Sequence, residues 1–117
     1  INTLPDYLFS GCAGLKKIEL PEKIIRIGDF AFRGCLALKK ITIPETVEIV
    51  GAGAFEDSGL TTISLHEFIS EIGKDAFKGC KALASIRLKK KNKHYVMVGT
   101  DLYTADQSTV VARPYGK

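Results

Sequence analysis

The sequence contains no tryptophan, only three cysteines and only two histidines. Each scarcity removes a class of function. The cysteine number is odd and no C-x-x-C occurs, while His66 and His94 have no partners at ligand spacing, so a zinc site lacks its ligands. No apolar run approaches the ~18 residues of a membrane helix, and no stretch has the layout of a secretory signal. G-x-S-x-G, P-loop and dinucleotide glycine fingerprints are missing. The carboxylates are scattered, with no pair placed to act as acid and base. The expectation is a non-enzyme without cofactor or metal.

What the chain has is repetition. Phe9, Phe32, Phe55 and Phe77 recur at steps of 23, 23 and 22 residues, and Ile18, Ile41, Ile63 and Ile86 at steps of 23, 22 and 23. Leu15, Leu38, Leu60 and Leu83 keep the same phase, as do Leu20, Ile43, Leu65 and Leu88, and Cys12, Cys35, Ser58 and Cys80. The short step moves between the series, which places a one-residue deletion between Ser58 and Leu60. Such a period with the pattern L-x-x-I-x-L is that of a leucine-rich repeat. In Leu38-Lys39-Lys40-Ile41-Thr42-Ile43 apolar and polar residues alternate, as in a strand with one buried face. Stacked copies would bury that face in a parallel sheet with one strand per repeat. The expected fold is therefore a leucine-rich repeat solenoid, β-rich α/β.

The rest of each unit has different chemistry. Asp29-Phe30-Ala31-Phe32-Arg33-Gly34 reads as a short helical or 3₁₀ turn, with Asp29 as N-cap and Gly34 as a left-handed C-cap. Gly11 and Gly79 repeat the glycine; the third copy has Asp57, so its turn is expected to be rebuilt. Segments such as Lys23-Ile24-Ile25-Arg26-Ile27 predict a second, shorter ladder on the back.

Four repeats are expected at 1–21, 22–44, 45–66 and 67–88. From Lys89 the period fails. Tyr95–Val98, Leu102–Thr104 and Thr109–Ala112 read as three short strands separated by turn residues. Residues 89–117 are thus expected to form an antiparallel hairpin cap in the same domain, covering the last repeat. Ile1–Leu4 align with Ile24–Ile27, so the chain starts in phase and suggests a piece of a longer array, one whose open first repeat would permit end-to-end self-association. Net charge is +4 with a pI near 9.0, too mild to indicate specific nucleic-acid binding.

The unit I-G-x-x-A-F-x-G-C-x-x-L-x-x-I-x-I-P resembles the BspA-like leucine-rich repeat family, and the tail Val98–Tyr103 with Val110–Pro114 resembles the hairpin that often follows such repeats there. The resemblance implies a bacterial or protozoan surface or secreted protein, hence an extracellular or cell-surface location, and adhesion to host or cell-surface proteins or glycans.

Two surfaces are candidates for contact. The outward columns of the sheet hold Lys17, Lys40, Thr62, Ser85 and Glu19, Thr42, Ser64, Arg87. They are basic at one end, hydroxyl-rich at the other and free of aromatic anchors. A solvated face and a binding face for an extracellular protein or glycan both fit. Lys89, Lys90, Lys91 and Lys93 form the densest charge run, either a solvated linker or a weak polyanion patch. The cysteines share an inward column and read as buried thiols rather than a disulfide. The sequence leaves two functional classes: an adhesion-type interaction module, or a structural stalk without a ligand of its own.

Overall fold

The computed structural model describes residues 2–115. The back of the solenoid is a parallel ladder of four two-residue strands, β1 (Thr3–Leu4), β2 (Arg26–Ile27), β3 (Ile49–Val50) and β5 (Glu71–Ile72), in that order. Thr3 pairs with Arg26, Arg26 with Ile49 and Ile49 with Glu71, so the pairing reproduces the sequence period. Leu4, Ile27 and Val50 point inward and are buried.

The expected helical or 3₁₀ turn does not form, and no helix occurs among the described residues. Its place is taken by a zigzag whose alternate amides leave for the next repeat. Phe30, Phe32 and Gly34 donate to the carbonyls of Ala52, Ala54 and Glu56 at 2.9, 2.8 and 2.8 Å, while Ala31, Arg33 and Cys35 close turns to residues three earlier. A helix needs all of these amides for itself. Phe30 also sits at φ 56°, and Tyr7 and Asp75 in the same column at 61° and 60°, a left-handed conformation that no α-helix accommodates. Asp29 caps no helix; its Oδ1 instead accepts the Ala52 amide of the next repeat at 2.9 Å and the Arg26 guanidinium of its own repeat at 2.8 Å. Asp6 accepts the Asp29 amide in the same way at 2.7 Å.

Gly11, Gly34 and Gly79 are left-handed at φ 80°, 74° and 74°, and Asp57 holds the same conformation at 58°. The deletion is absorbed after it. In the full-length copies Leu36 and Leu38 bond back to Gly34 and Cys35. In the third, Gly59 instead donates to Cys35 of the previous repeat, so close to that chain that a β-carbon at Gly59 would meet the Leu36 carbonyl oxygen at 2.0 Å.

Between ladder and turns lies a core of stacked columns. Phe9, Phe32, Phe55 and Phe77 stack with ring centroids 5.5, 5.3 and 5.6 Å apart, within the favourable range for offset rings. All three cysteines are free. The Cys35 thiol donates to the Phe9 carbonyl at 3.1 Å and the Cys80 thiol to the Phe55 carbonyl at 3.0 Å.

The front departs from one strand per repeat. Only β4 (Thr62–Leu65) and β6 (Ser85–Leu88) pair, parallel and in phase; the corresponding 16–20 and 39–43 segments form no strand. The inward residues Leu20, Ile41 and Ile43 are nevertheless buried. The outward columns account for the difference. Thr62 and Ser85 share a 2.9 Å hydroxyl hydrogen bond across their strands. The first two copies instead carry Lys16, Lys17, Lys39 and Lys40 at the equivalent positions, and like charges facing each other across neighbouring strands would be destabilising.

The C-terminal unit is the expected antiparallel cap, with β7 (Tyr95–Val98), β8 (Asp101–Thr104) and β9 (Val110–Ala112) in sequential order. Gly99, at φ 63°, opens the two-residue turn between β7 and β8, and Asp101 belongs to the strand rather than the turn. Leu102 is fully buried against the last repeat. The Tyr95 hydroxyl accepts the Ile72 amide at 2.6 Å and so closes the exposed edge of β5.

Candidate functional site

The front face carries a groove of about 630 Å³ between the second and third repeats. It is pinned at both ends. At one, the Thr61 amide donates to the Lys39 carbonyl at 3.0 Å. At the other, the His66 imidazole Nε2 donates to the Pro44 carbonyl at 2.9 Å, while its Nδ1 accepts the Phe68 amide at 3.1 Å; the two bonds fix the tautomer. Between the pins, no backbone hydrogen bond joins 40–43 to Thr62–Leu65 among the described residues. The missing ladder leaves main-chain groups facing the groove. Its floor is Ile41, Ile43 and Leu65, its walls carry Thr42, Thr62 and Ser64, and its rim holds Lys40, Arg87 and Lys89 against the single carboxylate of Glu45.

Most of the expected face residues converge here. Lys40, Thr42, Thr62, Ser64 and Arg87 line this groove, and Lys17 and Glu19 line a neighbouring one of about 430 Å³ together with Lys40 and Thr42. Ser85 does not join them; it is half-buried and turned onto Thr62. Hydroxyls, cations and an apolar floor can hold an anionic or hydroxyl-rich group by hydrogen bonds and charge. Among the described residues, no Phe, Tyr or Trp lines either groove.

The lysine run is divided. Lys89 belongs to the front groove, Lys93 to a different surface beside His94 and Asp106, and Lys90 and Lys91 stand in solvent. Between them Asn92 is buried. Its Nδ2 donates to the carbonyls of His66 and Ile69 at 3.0 and 2.9 Å, and its Oδ1 accepts the amides of His94 and Tyr95 at 2.8 and 2.9 Å. This residue escaped the sequence reading. Its only signal was being the one neutral side chain in a stretch of lysines.

The remaining reactive side chains serve the core. Burial pushes the thiols of Cys35 and Cys80 up from their ordinary values, which disfavours the nucleophilic thiolate. Burial likewise raises the Tyr95 phenol, against the opposing effect of its bond from Ile72.

The fold recurs in known structures. A leucine-rich cell surface protein from Faecalibacterium prausnitzii is 26% identical, with a TM-score of 0.86 over 94% of this chain and 29% of its own. The pneumococcal vaccine antigen PcpA, 24% identical, shares the fold with a TM-score of 0.86 over 97% of this chain and 29% of its own. A leucine-rich repeat protein of T. pallidum is 27% identical, with a TM-score of 0.56 over 75% of this chain and 52% of its own. The chain thus spans less than a third of the first two. Among curated proteins, none matches it. The family described as "BspA type Leucine rich repeat region (6 copies)" matches residues 2–103, nearly the whole chain and every repeat described above: the protein belongs to the BspA-type leucine-rich repeat family.

Proposed function

We propose that the chain is a non-enzymatic, extracellular interaction module that binds an acidic or hydroxyl-rich partner, protein or glycan, through the front groove. The repeats, residues 1–88, supply the binding face together with Lys89, and the segment 89–117 caps the same domain. The observation that carries this reading is the interrupted front ladder. Where Lys40–Ile43 and Thr62–Leu65 lie without a backbone hydrogen bond between them, a pinned groove opens beneath three cations and one carboxylate. A purely structural spacer has no use for such a slit. The cell-surface F. prausnitzii neighbour supports an extracellular setting. A partner presenting several anionic groups would add weak contacts at successive repeats through avidity.

The test uses immobilised extracellular-matrix proteins and a heparin column, with two variants. Replacing Lys40 and Arg87 by Glu reverses two rim charges without touching the core. It should weaken binding about tenfold or more, since each buried or partly buried charge contact is worth roughly 1.5–3 kcal/mol. Replacing Lys90, Lys91 and Lys93 by Ala should leave matrix binding unchanged and shift only elution from heparin. Unaltered binding by the Lys40/Arg87 variant would favour a stalk. A loss confined to the second variant would move the site to the lysine run.

A further inference from the structure

The zigzag turns leave one end of the solenoid unfinished. Each repeat donates three alternate amides to the next. Tyr7, Phe9 and Gly11 reach Asp29, Ala31 and Arg33; Phe30, Phe32 and Gly34 reach Ala52, Ala54 and Glu56; Gly53, Phe55 and Asp57 reach Lys74, Ala76 and Lys78, all at 2.7–3.0 Å. The fourth set, Asp75, Phe77 and Gly79, has no acceptor among the described residues. The cap does not supply one. It covers the back edge through Tyr95 and the front through the Tyr115 amide, which donates to Leu83 at 2.8 Å. Between the fourth turn and Val110–Tyr115 it leaves a groove of about 430 Å³, into which these residues face.

We propose that this groove captures a peptide in the same zigzag conformation, whose alternate carbonyls accept the amides of Asp75, Phe77 and Gly79. Main-chain hydrogen bonds hold it, as in other backbone-mediated peptide recognition, and the site is separate from the front groove. The three internal interfaces specify the ligand. The central accepting residue is Ala each time, Ala31, Ala54 and Ala76, buried to 0–1%. The next residue is Phe, stacking on the ring below. At the middle interface the residue after that faces its neighbour's charge: Glu56 meets Arg33 at 3.2 Å. Lys78 holds the Arg33 position at the open end and is exposed, so the matching segment reads small–aromatic–acidic. A second copy of this chain does not satisfy the pattern, because Leu8 stands where Ala is needed and Pro5 where Gly is needed.

The probe is acetyl-AGAFED-amide, the sequence that the third repeat presents to the second, titrated into the isotope-labelled chain. Its amide shifts should centre on Asp75, Phe77 and Gly79. A peptide with Leu for the central Ala should lose most of that effect. AGAFKD should bind about two- to fivefold more weakly, the range of an exposed ion pair, and K78E should invert the preference between the two. Ala112→Trp, which fills the groove from the cap side, should abolish the shifts, while K40E should not alter them. Absent shifts at millimolar peptide, shifts centred on the front face, or indifference of K78E to the peptide's charge would each overturn the proposal.

Discussion

Asp106 organises a whole hairpin loop from an exposed position. Its Oδ1 accepts the Thr104 hydroxyl at 2.7 Å and the Ser108 hydroxyl and amide at 2.7 and 2.9 Å. The Ser108 and Thr104 donors hold its carboxyl down at about 2, against an ordinary 3.8. The folded value lies below the unfolded one, so the loop's contribution to stability is complete above about pH 4 and is lost as pH falls towards 2. A carboxyl-detected NMR titration should give a midpoint near 2. A midpoint near 3.8 would mean that the three donors are not held in solution. Loop residues were legible as turn formers; which oxygen collects the donors was not, because three local donors compete equally on composition. The core columns lie at the other extreme. Phe32, Cys35 and Leu38 were assigned inward by period alone, and all three are fully buried, because a 23-residue step leaves a stacked side chain only one place to go.

The zigzag turn has the sequence of a helical turn. Its short spacing, terminal glycine and leading aspartate are shared by a one-turn helix and by a turn whose amides serve the neighbouring repeat. Only tertiary structure decides between them. The junction of repeat and cap was misjudged for a similar reason: a lysine run looks like linker, yet Asn92 within it joins the 66–69 segment to β7 by four hydrogen bonds. Removing that amide strands two buried carbonyls and two amides. Asn92→Ala should cost roughly 2–4 kcal/mol. Asn92→Asp is the sharper test. It keeps the shape but places a carboxylate oxygen against the carbonyls of His66 and Ile69, so it should lower the melting temperature at pH 7 at least as much as the alanine. An aspartate variant as stable as the parent would show that the two donated bonds carry no weight.

Across the whole molecule, the two ends differ in what they can receive. At the glycine that follows each back strand, an added β-carbon would meet the preceding repeat at 2.4 Å for Gly28, 2.5 Å for Gly51 and 2.3 Å for Gly73. The equivalent residue in the first repeat is Pro5. With Leu8 in the place of a buried Ala, the outer face of that repeat is shaped against another copy stacked in the same register. Unpaired groups at an open edge favour end-to-end self-association only where the backbones can approach. The close approach that makes glycine obligatory at three positions excludes a ring at the fourth. A repeat stacked on this face in the same register would meet that ring. Light scattering should find the chain monomeric to high concentration. Association of the parent chain would show that Pro5 and Leu8 do not keep this face from stacking.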